Sequence, residues 1–368
     1  MNSAPVVRPK MPELDSLRGI AILLVVLLHG FYWSTGLQGL SGVARILVNA
    51  THFGWLGVNL FFVLSGFLIT GILLESRGSQ QYYRRFYVRR ALRILPAFYG
   101  LLLLLAWWPR QNHAYLWLSF FYMSNLAPLF GIRITYPMLW SLAVEEHFYL
   151  AWPLAVRRLS NRALLICAIS IFVAVPLLRA WYFSPELPAG FGYFTWLVAD
   201  GLSAGAVLAL FVRRPDCSRK HIAWLSSGAI CLSMLLVFGE AHYGVLTQRR
   251  LPGAIFILTA VHLFFLGVTR LTLLAGTSRW SFLVDRPLLR FFGEISYGLY
   301  LIHWLVFASF DAALKRYGPG FFATLGRAEF ILLRFLCAGG MATLLAFLSR
   351  RHFEEPFLRL KNRMGGAA

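Results

Sequence analysis

The stretch Leu14–Trp33, LDSLRGIAILLVVLLHGFYW, is apolar for long enough to cross a bilayer, and this leaves few folds open. Roughly 20 apolar residues suffice for one helical crossing. Runs of that length recur along all 368 residues, with hydrophobic residues at 58% and charged ones at 14%. So few charges cannot cover a soluble protein of this size, whereas a polytopic membrane protein needs little else. The predicted class is an all-α membrane protein: a single bundle of about ten transmembrane helices with both termini cytoplasmic.

Within the first span the polar residues are few and placed. Asp15 and Arg18 stand at its start and His29 near its end. Positions 18, 22, 25 and 29 recur at helical spacing, so Arg18 and His29 share one face, about 16 Å apart along the axis. An ionisable group that deep in a span is costly and points to function. His29 is therefore the candidate reacting centre.

The formal net charge of +20 invites a nucleic-acid reading. Membrane insertion explains it better, because cytoplasmic loops collect Lys and Arg. Cys167, Cys217, Cys231 and Cys337 are scattered, with neither a disulfide framework nor metal-ligand spacing, so no metal is expected. The first apolar run lacks a cleavage site and reads as a retained helix.

The chain is expected to form one membrane domain over 1–368, with a cytoplasmic arm at 1–12 and a cytoplasmic tail at 359–368. The spans fall at about 14–34, 53–74, 94–108, 138–156, 163–181, 194–212, 221–239, 251–274, 291–313 and 329–349. Ser34–Thr51 reads as an external loop, and 115–130 as an external or re-entrant segment, since a crossing there would turn Arg157, Arg158 and Arg162 outward. With ten spans, every cytoplasmic segment carries at least three Lys or Arg. The most basic segment holds Arg77, Arg84, Arg85, Arg89, Arg90 and Arg93. Arg85, Arg89 and Arg93 recur at i+4 and would present one guanidinium face, ended by Pro96. Guanidinium forks suit the phosphates of a nucleotide or coenzyme A; anionic lipid contact and simple topology signalling are the alternatives.

Counting 1.5 Å per residue from each span's starting side places His29, Glu145, Asn59, Asp200 and His303 in one outer-half layer. Glu145, Glu146 and Asp200 are the acids set well inside spans, with His29, His147 and His303 as their expected partners. Glu145 and Glu146, about 100° apart on a helix, are expected to serve different roles, one facing a cavity. His262 and His303 read equally as interhelical hydrogen-bonding groups, and Asp200 equally as half of a structural ion pair. Ser65 and Ser141 are candidate nucleophiles, although small polar residues in spans mostly serve helix packing.

Six ordered blocks carry a family resemblance: LDSLRGIAILLVVLLH, GVNLFFVLSGFLIT, FYVRRALRILPAF, LWSLAVEEHFYLAWP, ISYGLYLIH and FEEPF. Together they span about Leu14 to Leu358 and resemble membrane acyltransferase family 3, whose members O-acylate carbohydrates, antibiotics and lipids. The resemblance implies a ten-span bundle that uses acyl-coenzyme A from the cytoplasm as co-substrate, with no permanently bound cofactor. It implies His29 as catalytic histidine, Arg18 as its partner, Arg89, Arg90 and Arg93 as the basic motif near the donor, and Glu145 as the acid of the W-S-L-x-x-E block. Asp15, Asn59, Ser141, Asp200, Tyr297 and His303 are candidate supporting residues. Two positions depart from the family pattern: Asn59 stands where Asp is frequent, and His147 replaces a common Gln. The chain carries no appended hydrolase-like domain and reads as a stand-alone version.

The expected reaction moves an acyl group, acetyl above all, from acyl-coenzyme A to a hydroxyl of a carbohydrate, glycolipid or other sugar-bearing acceptor. His29 would act as general base, with Glu145 orienting and stabilising the imidazolium. A covalent acyl-His29 or acyl-serine relay is the chemical variant. The expected setting is the bacterial cytoplasmic (inner) membrane, multi-pass, with membrane lipids as neighbours and no nucleic-acid partner. A transporter of acylated or anionic compounds is the rival from another class, but no internal repeat of the transporter kind is visible. A lipid-binding or scaffold role would leave the buried ionisable groups unexplained.

Overall fold

The computed structural model describes residues 7–8, 10–33, 36–108, 111–183, 191–214, 219–242, 251–278, 280–318 and 325–363. Among them the regular structure is helical throughout, without a strand. Apolar runs in hydrocarbon demand this, because a helix satisfies every backbone group inside its own segment. Cys217, Arg279, most of the arm 1–12 and the end of the tail lie outside the described residues.

Helix α1 (Pro12–Leu27) starts on a proline at its first turn and passes into a π-helical turn, Leu28–Tyr32. Helix α2 (Gly42–Ala50) leads through a 3-10 turn into α3 (Leu56–Ser76). There follow α4 (Tyr82–Ala106), α5 (His113–Phe120), α6 (Leu139–Arg158), α7 (Asn161–Tyr182), α8 (Thr195–Val198) and α9 (Asp200–Phe211). The remainder are α10 (Arg219–His242), α11 (Leu251–Ala275), α12 (Ser281–Val284), α13 (Pro287–Tyr317), α14 (Arg327–Leu348) and α15 (Glu355–Arg363).

Helix α1 lies at the centre, packed along α13 on one side and α3 on the other; α3 in turn packs along α9, and α14 covers α13. Small residues make these crossings close, as packing within a membrane favours. A methyl group on Gly19 would sit 1.9 Å from the Leu289 carbonyl oxygen, and one on Gly66 1.9 Å from that of Leu202. The outer faces carry the reverse pattern. Ile166, Ile169, Val173 and Leu177 recur at helical spacing along α7 and are exposed, which suits a surface bathed in lipid rather than water.

Six helical stretches among the described residues are both long and apolar enough to cross a bilayer, fewer than the ten expected. They are Pro12–Tyr32, Gly42–Ser76, Asn161–Tyr182, Leu251–Ala275, Pro287–Tyr317 and Arg327–Leu360. The difference has local causes. Helix α4 begins inside the arginine cluster, α6 carries Glu145, Glu146, Arg157 and Arg158, and the sixth expected span divides at Ala199.

Two local expectations change as well, and a third stretch takes definite form. Pro96 does not end the basic helix: α4 runs through it to Ala106, and Tyr297 donates its hydroxyl to the Ile94 carbonyl, 2.9 Å away, in the turn the proline loosens. The expected loop 34–51 contains α2, whose exposed Val43, Ile46 and Leu47 form one apolar face above a buried Val48. The stretch 115–130 forms the end of an eight-residue helix and a 3-10 turn, too short to cross.

One buried ion pair ties α7 to α9. Arg179 donates to Asp200 at 2.7 Å, while Thr259 donates to the same carboxylate at 3.0 Å and His262 Nδ1 lies 3.2 Å from it. Arg179→Ala leaves Asp200 charged and buried, and should cost about 3–5 kcal/mol of stability. Thermal unfolding in detergent should show a large loss for Arg179→Ala and a smaller one for Arg179→Ala with Asp200→Asn. Equal losses would show that the stranded charge is not the cause.

Candidate active site

The helical stripe 18–22–25–29 faces inward. Ile22 and Val25 are fully buried, His29 is 5% exposed, and Arg18 borders a cavity. Beyond Leu27 the helix widens: Trp33 donates its N–H to Leu28 O, five residues back, rather than to the carbonyl of His29. Single π turns of this kind concentrate at functional sites. Here the turn carries His29, and Arg334 Nη1 donates to the carbonyl of Gly30 at 2.8 Å.

His29 is paired with His303 on α13, His303 Nε2 to His29 Nδ1 being 3.2 Å. The backbone fixes the tautomers. His303 Nδ1 lies 2.9 Å from Leu299 O and His29 Nδ1 2.8 Å from Val25 O. A carbonyl only accepts, so both Nδ1 atoms carry protons, and the Nε2 of each neutral ring carries a lone pair. His29 Nδ1–H is then shared between Val25 O and His303 Nε2. Its own Nε2 is the basic nitrogen. Trp33 and Trp304 close around the imidazole in edge contacts, at 5.7 and 5.3 Å between ring centroids.

A cavity of about 570 Å³ opens between α1, α3, α4, α6 and α13. At one end stand Lys10, Arg18, Arg90, Arg93 and Arg290. Its shaft is apolar, with Phe61, Leu64, Leu68 and Ile72 of α3, and its walls run from Ile72 to Val58, about 21 Å of helix. At the far end Ser141 Oγ and the Tyr300 hydroxyl are 2.7 Å apart. The Tyr300 ring lies 5.9 Å from that of His303, whose ring is 5.1 Å from that of His29. His29 itself does not line the cavity.

Glu145 faces this cavity, but its carboxylate is held by Ser65 at 2.8 Å and Tyr149 at 2.9 Å. Arg90 lies over the Tyr149 ring, 3.8 Å from its centroid. The expected pairing of Glu145 with His29 is thus replaced by His303 with His29. Glu146 also lines the cavity, because a space this wide accommodates two adjacent helical directions.

Of the remaining expected residues, Asp15 lies 3.8 Å from Arg18 at the basic end, and Tyr297 lines the wall. Arg90 and Arg93 line the cavity, while Arg89 is exposed outside it. Asn59 and Asp200 belong to a separate buried network: Asn59 Oδ1 accepts from His262 Nε2 at 2.8 Å, and His262 bridges to Asp200. His147 meets Thr195 at 2.7 Å. The layer read from residue counting therefore divides into the histidine pair, the Asp200 network and the cavity acid. Sequence reasoning missed Lys10, Arg290 and Tyr300 in the cavity, and Arg179 and Arg334 in the buried pairs. Arg179 and Arg334 carried a usable signal, since each sits inside a predicted span.

These features describe a helical membrane protein with a half-polar internal cavity beside a buried histidine pair. Residues 11–351 match the model of the acyltransferase domain of family 3, and the chain belongs to that family of acyl-group transferases. With its long apolar helices, it is an integral, multi-pass membrane protein. Among its relatives is the putative peptidoglycan O-acetyltransferase YrhL of Bacillus subtilis (strain 168), 31% identical over 331 residues, covering 80% of this chain and 48% of the relative. Another is the peptidoglycan O-acetyltransferase OatA of Listeria monocytogenes, 30% identical over 335 residues, covering 81% and 49%. The O-acetyltransferase OatA of Staphylococcus aureus is 27% identical over 332 residues, covering 80% and 50%. The chain spans about half the length of these curated relatives. No solved structure matches it.

Glu145→Ala strands two buried hydroxyls at once and should cost about 1–3 kcal/mol, with Tyr149→Phe costing less because the carboxylate keeps Ser65. Thermal unfolding of the purified variants checks the order; a Tyr149→Phe loss equal to that of Glu145→Ala would contradict it.

Proposed function

We propose that this chain is a membrane O-acyltransferase that moves an acetyl group from acetyl-coenzyme A to a hydroxyl of a carbohydrate or glycolipid. The cavity carries the reading. Its cationic end suits the donor's phosphates, its apolar shaft suits the pantetheine arm, and its far end stops at Tyr300, beside the His303–His29 pair. The relatives' names support acetyl as the group and a sugar polymer as the acceptor class. Membership of an acyltransferase family sets the transporter alternative aside.

Coenzyme A thioesters are cytoplasmic compounds, so we place the basic end at the cytoplasmic face of a bacterial inner membrane, with ten crossings and both termini inside. Arg90 and Arg93, joined by Arg18, Arg290 and Lys10, take the phosphates. The acceptor arrives from the other side. Tyr300 and His303 form the one side-chain layer between the thioester and His29, and this layer parts when both substrates are bound.

His29 Nε2 removes the acceptor's hydroxyl proton as that oxygen attacks the thioester carbonyl carbon. The new imidazolium donates its Nδ1–H to His303 Nε2 and Val25 O, the role first assigned to Glu145. The carbon–sulfur bond breaks, and the proton on Nε2 passes to the departing thiolate. Products are the ester and free coenzyme A.

General-base help is worth about 10²–10⁴ in rate, so His29→Ala should lose that much transfer while still inserting as full-length protein. Arg93→Ala should raise the donor KM about tenfold or more, the value of one lost charge-assisted hydrogen bond, with a smaller effect on kcat. Both are read by labelled acetyl-coenzyme A turnover in nanodiscs. Wild-type activity in a folded His29→Ala protein would sink the base assignment.

A further inference from the structure

Among the described residues Arg334 is the largest side chain that is wholly enclosed, at 2% exposure, and it lies in α14 among apolar neighbours. A guanidinium at such a place is costly and needs partners for all its donors. Two come from one carboxylate: Nε and Nη2 donate to the two oxygens of Asp311, at 2.6 and 2.7 Å, in a bidentate fork. The third donor direction, Nη1, is spent on the backbone, at 2.8 Å from the carbonyl oxygen of Gly30.

That carbonyl belongs to the π-helical turn, next in sequence to His29. The turn is further enclosed by aromatic rings. A methyl group on Gly30 would meet Phe335 at 2.5 Å and Phe307 at 2.8 Å, and the Arg334 guanidinium lies 5.0 Å from the centroid of the Phe307 ring. Helix α13 therefore holds the end of α1 at two points. His303 takes the His29 side chain, and Asp311, eight residues or about 12 Å further along, takes the adjacent peptide through Arg334.

We propose that Arg334 and Asp311 are positioning residues, a brace that fixes the peptide after His29 and so sets the imidazole against His303 in one tautomer and one orientation. The inference rests on the general-base reading of His29. A brace of this kind acts on the geometry of proton transfer and leaves the cavity to bind donor as before, since neither Arg334 nor Asp311 lines it and its last lining residue on α13 is Tyr300, eleven residues before Asp311.

Lysine keeps the charge of arginine but cannot serve two carboxylate oxygens and a carbonyl in one plane. In Arg334→Lys, reconstituted in nanodiscs, kcat should fall about 10²-fold, the effect of a misplaced catalytic group, while the KM for acetyl-coenzyme A stays within twofold. Asp311→Asn, which leaves Arg334 on Gly30 but loosens the fork, should shift kcat in the same direction and serves if Arg334→Lys does not insert. A merely structural pair would lower the melting temperature and leave kcat intact below it; that result overturns the proposal. A second readout needs no turnover: the ¹⁵N spectrum of the histidine rings, with His29→Gln assigning the signal. The brace predicts one Nδ1–H tautomer for His29 in the wild type and a mixture in Arg334→Lys. Identical spectra would overturn it. If the wild-type protein transfers no acyl group, the functional reading fails, and the spectra still decide whether the brace orders His29.

Discussion

Hydrocarbon offers no hydrogen bonds, and the consequences of that single fact reach every part of this molecule. It makes the chain helical wherever structure is described. It removes the hydrophobic drive between helices, so that α1, α3, α9 and α13 meet through glycines where their backbones nearly touch. It also obliges each buried charge to find its answer inside the protein. Arg179 finds Asp200 and Arg334 finds Asp311, each pair tying together two helices close in the chain.

The same constraint separates structural polar groups from functional ones. The Asp200 network is enclosed: one carboxylate meets Arg179, Thr259 and His262, and His262 continues to Asn59. None of these residues lines the cavity. The cavity is open and unbalanced, with five cationic side chains at its border against the three carboxylates of Asp15, Glu145 and Glu146. Glu145 is already engaged by two hydroxyls. An excess of cationic groups around a cavity whose other walls are largely apolar is the charge pattern on which the proposed donor, an anion on an apolar stem, is argued.

How much of this was legible in the sequence follows from what repeats. The inward stripe of α1 was readable because helical periodicity is fixed, whereas for His29, Glu145, Asn59, Asp200 and His303 residue counting supplies an expected height and no more. Their partners were not readable, since height says nothing about which neighbour stands alongside. Glu145 and His29 illustrate this: similar expected depth, different faces of the bundle. Arg89 failed for a related reason: it shares a helical face with Arg93 but lies one turn earlier, exposed and outside the cavity, so only Arg90 and Arg93 reach the space. Arg179 and Arg334 were legible and overlooked; each is a charge within a predicted span, the same signal that singled out His29.

Division of labour among the helices explains why one side-chain layer matters so much. The cavity is walled chiefly by α3, α4 and α6, whereas the His29–His303 pair belongs to α1 and α13, and the Arg334–Asp311 pair that meets the next peptide, at Gly30, belongs to α14 and α13. The two halves meet at Tyr300, which lines the cavity, bonds Ser141 on α6 and stacks near His303. In the proposed reaction a donor thioester and the His29 base would stand on opposite sides of this tyrosine and stay apart until its ring yields. Such an arrangement would protect the thioester from a basic nitrogen while no acceptor is present, and it would make the α1–α13 crossing, tightened by Gly19 and Gly293, the element whose rigidity sets the alignment when the layer opens.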